Sequence, residues 1–289
     1  MKMLNPNHIG AQYLHIAISE LVPLIDWRFF FMAWRLTGEK TAEKTAEIEK
    51  LKQDADKLLA QFIANDTLQI NAFCGIYPAH SDNENIVFDN EDIVIPTLRQ
   101  QHPSTDGFCY ALADFLEDKT AKSPNFIGVF ALTVLGAEDY AKQLESAGEL
   151  YDAILVKTLA DRLAEAAAEW LHYKVRTDIW GYAPDELFDA ATLLRSQYQG
   201  IRPAIGYPSL PDQSVILDLD KLVNFNKLGI TLTENGAMYP TASIAGLYFA
   251  CPQSKYFLVG KIDELQLADY AARRKKPLAE MRKWLAANL

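Results

Sequence analysis

The fold is decided by the stretch Phe126-Ile127-Gly128-Val129-Phe130-Ala131-Leu132-Thr133-Val134-Leu135. Its apolar, β-branched and aromatic side chains predict a buried strand, which ends at Gly136. From Leu150 to Val175 the apolar side chains are instead spaced three and four residues apart, as in a long helix. The stripe of this helix consists of Leu155, Leu159, Leu163, Ala166 and Trp170. Strand and helix therefore both belong to the core.

Around this pair, further strands and helices follow without regular alternation. The predicted strands are Leu68 to Tyr77, Asn85 to Phe88, Glu91 to Ile95, Ile230 to Leu232, Ala242 to Ala250 and Tyr256 to Val259. The predicted helices are Thr41 to Ile63, Asp263 to Arg274, Leu278 to Ala287 and a short one capped by Asp26. Since a doubly wound fold would alternate throughout, this order predicts an α+β fold with a largely antiparallel sheet. We expect one domain over residues 1–289, with the loop-rich stretch Ile179 to Ser214 as the candidate for an internal seam.

Composition and charge exclude several classes of partner. The 289 residues include 28 Lys and Arg against 38 Asp and Glu, a formal net charge of −10 at pH 7. This argues against a nucleic-acid partner, because phosphate binding rests largely on Lys and Arg. The uncharged run Asn235 to Ser254 contains Pro240 and Pro252, so we expect no membrane span and no membrane partner. The first ten residues lack the order of a signal peptide, which predicts a cytoplasmic protein.

Motifs of common enzyme and metal-binding classes are missing from the sequence. There is no G-x-G-x-x-G or G-x-x-x-x-G-K-[ST] nucleotide cradle and no G-x-S-x-G elbow. The five histidines form no H-x-x-x-H pair or cluster with cysteine. We therefore expect no catalytic nucleophile and no metal site. Buried free thiols are predicted for the three scattered cysteines, Cys74, Cys109 and Cys251.

Three segments carry side chains that are unusual for purely structural parts of a protein. One of them is helical, and the other two are loops or strands. In Leu159 to Glu165, Asp161 and Glu165 share a helical face and Arg162 pairs with Glu165, although a solvated ion-pair face has the same pattern. The nearly uncharged run Glu234 to Phe257 is also compatible with two packed antiparallel strands.

The third segment, Gly200 to Pro208, holds Arg202 and Tyr207 between prolines and glycines. A rigid loop that presents a guanidinium and an aromatic ring is typical of ligand-binding loops. An ordinary structured surface turn remains the alternative at this stage.

Eight short blocks along the chain follow the order of a known family. They are Ile25-Asp26-Trp27-x-x-Phe30-Phe31, Ala113-Asp114-Phe115, Val156-Lys157 to Glu165, Trp180-Gly181-Tyr182-Ala183-Pro184, Gln199-Gly200-Ile201-Arg202-Pro203-Ala204-x-Gly206-Tyr207-Pro208, Leu232-Thr233-Glu234-x-x-Ala237-Met238, Ser254-Lys255-Tyr256 and Asp269-Tyr270-Ala271-x-Arg273. Together they resemble the activation domain of cobalamin (vitamin B12)-dependent methionine synthase over nearly the whole chain. Arg-x-x-x-Gly-Tyr-Pro alone is weakly specific, whereas several blocks in one order are specific.

The resemblance implies a C-shaped α+β fold around a twisted antiparallel sheet, with S-adenosylmethionine across its inner face. By motif match Asp26 and Arg202 contact this ligand, with help from the backbone around Ala204. The sulfonium and ammonium of the ligand suit carboxylates, and its α-carboxylate suits a guanidinium fork. A ligand contact is therefore favoured over capping alone for Asp26, although the residue can do both. The other expected ligand contacts or supports are Tyr256, Phe257, Glu165, Tyr207 and Arg162.

The resemblance also implies the reaction and its partners. An electron from a flavodoxin-type reductant and the methyl group of S-adenosylmethionine convert cob(II)alamin on a cobalamin-binding partner module to methylcobalamin, which restores methionine biosynthesis. The domain places the sulfonium methyl group and needs no side-chain nucleophile. We expect a stand-alone reactivation subunit that is a methyltransferase only as part of a complex, with Asp161 on the face toward the cobalamin-binding module.

Two departures from the family pattern keep alternatives open. The family loop Pro-x-His-Thr-Glu-Lys reads Pro211-Asp212-Gln213-Ser214-Val215-Ile216 here. This motivates a second hypothesis, a non-catalytic S-adenosylmethionine-binding or docking module for another corrinoid methyltransferase. A structural relic without ligand binding is the third. The sequence also holds no Asp-x-His-x-x-Gly cobalamin motif, so we expect that the chain does not make methionine alone.

Overall fold

The computed structural model describes residues 5–38, 41–121 and 125–289. Its strands are β1 Gly10–Ile16, β2 Gln69–Asp82, β3 Asn85–Phe88, β4 Val94–Pro96, β5 Phe126–Leu135, β6 Thr231–Leu232, β7 Met238–Tyr239 and β8 Ser243–Tyr248. Within these residues six strands form an antiparallel sheet in the order β4-β3-β2-β5-β8, with β1 also paired to β2. Strands β6 and β7 form a separate antiparallel ribbon.

Strand β2 organises the sheet because it changes partners along its length. Residues 70–76 pair with β1, residues 79–82 pair with β3, and residues 69–78 pair with β5 on the other side. Pro78 lies between the β1 and β3 pairings, where its missing N–H removes no ladder hydrogen bond. The strand therefore continues through a residue that sequence patterns assign to a turn.

The helices cover both faces of this sheet. Their bounds are α1 Ile18–Leu21, α2 Trp27–Ala33, α3 Ala42–Asn65, α4 Ala137–Ser146, α5 Leu150–Lys174, α6 Ala190–Leu193, α7 Val215–Val223, α8 Phe225–Leu228, α9 Glu264–Arg273 and α10 Leu278–Trp284. Helix α5 is the longest of these, contacts β2, β5 and β8, and continues into a π-helical turn at Val175–Ile179. It therefore connects the centre of the sheet with its β8 edge.

Each face of the sheet has its own apolar core, because side chains alternate along a strand. On one face, Ile70 and Cys74 of β2 pack into a cluster with the buried side chains of α3 and α5. On the other face, Phe73 and Tyr77 join a cluster with α7, α8, α9 and α10. Strand β5 contributes to both clusters, and its burial from Phe126 to Val134 follows from this position.

The predicted α+β class with a largely antiparallel sheet is confirmed, but one predicted strand is wrong. Tyr256 to Val259 has no regular secondary structure and forms no ladder. The amide of Val259 donates to Pro208 O at 3.0 Å, whereas the neighbouring chain closes a tight turn from Tyr207 to Leu210. A turn offers no row of backbone groups for a second strand. Strand β4 also lies later than predicted, and β1 and α4 were not predicted.

The structure also tests the predictions made for the three cysteines and for the uncharged run Asn235 to Ser254. All three cysteines are free, but only Cys74 is buried, so the predicted burial is wrong for the partly exposed Cys109 and Cys251. The run from Asn235 to Ser254 contains β7 and β8. Among the helices that the structure describes, none combines the length and apolarity needed to cross a membrane.

Candidate functional site

The rigid loop Gly200 to Pro208 lies along the free edge of β8. Ile201 and Phe249 exchange two backbone hydrogen bonds of 3.0 Å each. Residue 246 of β8 is glycine, and a Cβ at that position would lie 2.3 Å from the carbonyl oxygen of Pro203. Only glycine therefore permits the loop to approach β8 so closely. The loop is held in a defined position along this edge of the sheet.

The segment with Tyr256 and Phe257 is hydrogen-bonded to the same loop. The Tyr256 hydroxyl accepts a hydrogen bond from the backbone N–H of Arg202 at 2.9 Å. The hydroxyl of Ser209 donates to the carbonyl of Phe257 at 2.7 Å. Burial raises the pKa of Tyr256, so its hydroxyl stays protonated at neutral pH. The two aromatic residues therefore have fixed positions relative to Arg202.

Arg202 is the charged centre of the site. Its side chain is 14% exposed, and Nε and Nη2 both donate to Glu169 Oε1, with an Nε–Oε1 distance of 3.2 Å. Glu165, one helical turn earlier on α5, lies 3.9 Å from Nη2. Burial is the largest single influence and opposes the charge of Arg202, but the Glu169 carboxylate and two neighbouring tyrosines together outweigh it and raise the pKa of the guanidinium. The side chain is therefore a permanent cation at the edge of the sheet.

Asp26 caps α2, as the sequence predicts. Its carboxylate accepts from the Arg28 backbone N–H at 3.0 Å, and from Arg28 Nε and Nη2 at 3.0 and 2.6 Å. The hydrogen bond from the Arg28 side chain lowers the pKa of Asp26 against the effect of partial burial. Asp26 is therefore an ionised group, and its present partner Arg28 is an exposed side chain.

Two adjoining cavities of about 500 and 380 Å³ meet at Arg202. These volumes are in the range of small-molecule sites. Both cavities are lined by Glu165, Glu169, Arg202 and Tyr207. The larger one adds the mainly apolar wall of Ala204, Pro208, Ile244, Phe257 and Leu258, with Tyr256. The smaller one adds Leu24, Asp26, Phe29, Arg162 and Leu194, so charge is concentrated on that side.

The structure brings together all eight residues that the sequence names as ligand contacts or supports. They line one or both cavities and are Asp26, Arg162, Glu165, Arg202, Ala204, Tyr207, Tyr256 and Phe257. Asp161 is exposed on α5 and lines neither cavity. The predicted ion pair of Arg162 with Glu165 is wrong, since none joins them within the described residues. The Arg162 guanidinium instead lies 6.0 Å from the ring centroid of Phe29.

Glu169 is a site residue that was not predicted from the sequence. It is buried, and it supplies the closest carboxylate to Arg202. A signal was present, because Glu169 follows Glu165 by four residues and interrupts the apolar run that begins with Ala166-Ala167-Ala168. An acidic side chain on a buried helical face requires a partner. The sequence does not show which arginine provides it.

The arrangement suits a ligand with a carboxylate at one end, a cationic centre and a flat apolar part. A guanidinium binds carboxylates, the side chains of Asp26 and Glu165 attract cations, and Tyr256 and Phe257 offer an aromatic wall. In the described ranges no three His, Cys, Asp or Glu side chains are grouped so that they could hold a metal ion. The site is therefore equipped to orient a ligand by charge and shape.

Fold and site define an α+β domain with a charged ligand cleft at the edge of its sheet. The chain belongs to the family described as vitamin B12 dependent methionine synthase, activation domain, whose model matches residues 17–275. A crystal structure of the MetH reactivation domain bound to AdoHcy is similar, with a TM-score of 0.95 and 37% sequence identity. The match covers 100% of this chain and 93% of that chain. The family predicted from the sequence is confirmed, together with its curled antiparallel sheet.

Proposed function

We propose that the chain binds S-adenosylmethionine and presents its methyl group for the reductive methylation of cobalamin on methionine synthase. The family supports this role, and the relative bound to AdoHcy supports the ligand class, because AdoHcy is S-adenosylmethionine without the transferred methyl group. The observation that carries the proposal is Arg202, a largely buried cation at the junction of two cavities.

The charges around Arg202 suit the amino-acid end of this ligand. Arg202 Nη1 has no hydrogen bond to any residue that the structure describes, so it is available to the α-carboxylate. Glu165 and Asp26 are carboxylates on the walls, and we assign them to the ammonium and sulfonium groups. Both cations of the ligand then face negative charge.

The apolar wall of the larger cavity suits the adenosine end. We assign the adenine ring to the side of Tyr256 and Phe257, with the backbone at Ala204 beside it. Tyr207 is 55% exposed and lines both cavities, and Arg162 lines the smaller one, so we assign them supporting contacts. The ligand then spans both cavities with its sulfur near their junction.

The chain's own part in the reaction is to position the donor. It holds S-adenosylmethionine with the sulfonium methyl group toward a cobalamin-binding partner module, and the electron comes from a flavodoxin-type reductant. Because an in-line methyl transfer depends on alignment, no side-chain nucleophile is required. Asp161 is exposed one turn before Glu165 on α5, and we assign it to the docking face. The chain thus acts as a methyltransferase only within this complex.

The altered loop Pro211–Ile216 does not favour the second hypothesis, a docking module for another corrinoid methyltransferase. Asp212 and Ser214 are buried, and the Asp212 carboxylate accepts hydrogen bonds from the Ser214 hydroxyl at 2.6 Å and the Tyr270 hydroxyl at 2.8 Å. Among the described residues, those of this loop line neither cavity. Their replacement therefore concerns the packing of α7 and α9.

The proposal is tested with a methionine synthase that lacks its own activation domain and carries cob(II)alamin. Reduced flavodoxin, S-adenosylmethionine with a labelled methyl group and this chain are added, and label on cobalamin is measured together with the absorption spectrum. We expect methylcobalamin to form only when both the chain and S-adenosylmethionine are present.

The positive control is the activation domain of the same synthase, added in trans. Methylation with that domain and none with this chain would contradict the proposal. The variant Arg282→Ala, which removes an exposed ion pair with Glu264, is the matched control and should support methylation at the wild-type rate.

A further inference from the structure

A second layer of polar side chains lies behind Arg202. At the end of α5 the chain forms the π-helical turn Val175–Ile179, a geometry often found at functional sites. This turn carries Arg176, whose side chain is fully buried and makes two hydrogen bonds of 2.6 Å to Glu186. Within the described residues, neither side chain lines the two cavities. The ion pair is therefore outside the ligand site proper.

Tyr198 connects the Arg176–Glu186 ion pair with Glu169. The Cζ atom of Arg176 lies 3.8 Å from the centroid of the Tyr198 ring, and His172 meets the same ring edge-on with centroids 5.0 Å apart. The two contacts restrict the ring from different sides. The Tyr198 hydroxyl lies 3.2 Å from Glu169 Oε2 and 3.4 Å from Oε1, so its single proton is shared between the two oxygens, and the Ser196 hydroxyl lies 3.5 Å away.

Glu169 passes this restraint to Arg202. Its Oε1 accepts from Arg202 Nε at 3.2 Å and from Nη2, while the Tyr198 hydroxyl holds the same carboxylate. A buried carboxylate between fixed donors has little freedom to turn. The plane of the guanidinium is set in this way, and with it the direction in which Nη1 is offered to a ligand carboxylate.

We propose that Tyr198 is a positioning residue that acts through Glu169 on Arg202, with Arg176 holding the Tyr198 ring. The inference rests on the proposed function, because it takes Arg202 as the partner of the α-carboxylate of S-adenosylmethionine. It concerns only the amino-acid end of that ligand, since the adenosine end is assigned to the wall with Tyr256 and Phe257. Loss of the Tyr198 hydroxyl should therefore weaken the contacts to the amino-acid end of the ligand and not those to its adenosine end.

The test compares two ligands on the variant Tyr198→Phe by calorimetry. S-adenosylmethionine should bind roughly fivefold more weakly, because the hydrogen bond to the charged Glu169 is lost and Arg202 is less well oriented. 5′-Methylthioadenosine keeps the adenosine and lacks the amino acid, so its affinity should change by less than about twofold. Equal losses for both ligands, or no loss for either, would overturn the proposal.

Tyr248→Phe is the matched control. Tyr248 is fully buried and stacks on His172 with centroids 5.1 Å apart, but its hydroxyl has no hydrogen-bond partner among the described residues. We expect both affinities to stay at the wild-type value. A loss of S-adenosylmethionine binding equal to that of Tyr198→Phe would show that any buried hydroxyl in this region has the effect, and would refute the specific role of Tyr198.

A ligand-free measurement separates this inference from the proposed function. The Nε–H of Arg202 is followed by ¹⁵N NMR, and its hydrogen exchange should be slow in the wild type and in Tyr248→Phe and faster in Tyr198→Phe. Unchanged exchange in Tyr198→Phe would overturn the positioning role. Absence of S-adenosylmethionine binding by the wild type would contradict the proposed function instead, and the exchange rates would still decide whether Tyr198 orients Arg202.

Discussion

Arg202 and Arg274 are both largely buried arginines with carboxylate partners, yet they differ in how many of their nitrogens lie close to an oxygen atom. Each of the three nitrogens of Arg274 has an oxygen within 3.2 Å. These oxygens come from Asp212, Asp218 and Ser214. Arg202 has an accepting oxygen at Nε and Nη2 only, both times from Glu169, and it lines two cavities.

The difference separates an arginine of the scaffold from an arginine of the site. Both guanidinium groups have a raised pKa, in each case because nearby acidic groups outweigh burial, so the pKa does not distinguish them. Arg274 Nε is buried and faces the Asp212 carboxylate at 3.2 Å without a hydrogen bond, while its other two nitrogens donate to Asp218 and Ser214. Among the residues that the structure describes, Arg202 instead leaves Nη1 without an acceptor beside two cavities, so a ligand carboxylate can add a hydrogen bond there. The position of the unmatched nitrogen beside a cavity is therefore the more informative property.

The largest effect is expected for Arg274→Ala. This variant removes the cation that contacts Asp212, Asp218 and Ser214. Removing this cation leaves Asp212 buried without its charge partner, and we expect the free energy of unfolding to fall by about 3–5 kcal/mol. Urea denaturation measures it. Arg282→Ala, which breaks an exposed ion pair, is the control and should leave the free energy of unfolding nearly unchanged. Similar losses in the free energy of unfolding for the two variants would show that Arg274 has no particular role in stabilising the fold.

Gly246→Ala tests how the site depends on the sheet edge. The added Cβ would lie 2.3 Å from Pro203 O and 2.8 Å from Ala204 Cα, so the Arg202 loop must move away from β8. We expect a loss of stability of about 1–3 kcal/mol and weaker binding of S-adenosylmethionine.

Gly128→Ala is the matched control for this variant. Its Cβ would lie 2.7 Å from Tyr248 Cβ, so it also strains the central sheet, but away from the Arg202 loop. Chemical denaturation should show a comparable loss of stability with unchanged ligand affinity. If both variants lost the same affinity, the contact at Gly246 would have no special connection with the site.

The smallest effect is expected for Asp26→Asn. This variant tests whether the charge of Asp26 on the cavity wall also contributes to the stability of the fold. Asn remains a good cap, so the change removes mainly the ion pair with Arg28. Because folding lowers the pKa of Asp26, its charge stabilises the protein above the unfolded pKa, and this contribution disappears as the pH falls through the folded pKa.

Urea denaturation at several pH values measures this contribution. The wild type should exceed Asp26→Asn by roughly 0.5–1 kcal/mol near neutral pH, and by nothing once the carboxyl is protonated at low pH. Arg28→Gln should remove the same pH dependence. A constant difference at all pH values would mean that the Arg28 pair does not stabilise the fold.

Elements whose pattern reflects their own burial were predictable from the sequence. Strand β5 has the predicted bounds because both its faces are buried, and α5 has nearly the predicted bounds because its stripe faces the sheet. Tyr256 to Val259 has the composition of a strand, but a ladder needs an extended neighbour, and the chain at Tyr207 turns instead. Pairing partners of this kind lie outside the local pattern.

Site residues that belong to family motifs were predictable from the sequence. Contacts between residues that lie far apart in the chain were not. Arg202 and its loop were named, whereas Glu169 lies 33 residues away on α5 and was overlooked. The sequence contains several acidic residues on that helix, and burial in the folded chain selects Glu169. Arg28, the ion-pair partner of Asp26, was also not predicted, although it lies only two residues further along the chain.

The central claim is that Arg202 anchors the ligand, and titration calorimetry with S-adenosylmethionine tests it most directly. The wild type should bind saturably, and Arg202→Ala should bind about 1.5–3 kcal/mol more weakly. Because that variant also leaves Glu169 unpaired, Arg202→Lys is measured beside it; it keeps the charge, loses the planar fork and should show an intermediate affinity. Equal affinity in all three proteins, or no binding by the wild type, would contradict the account.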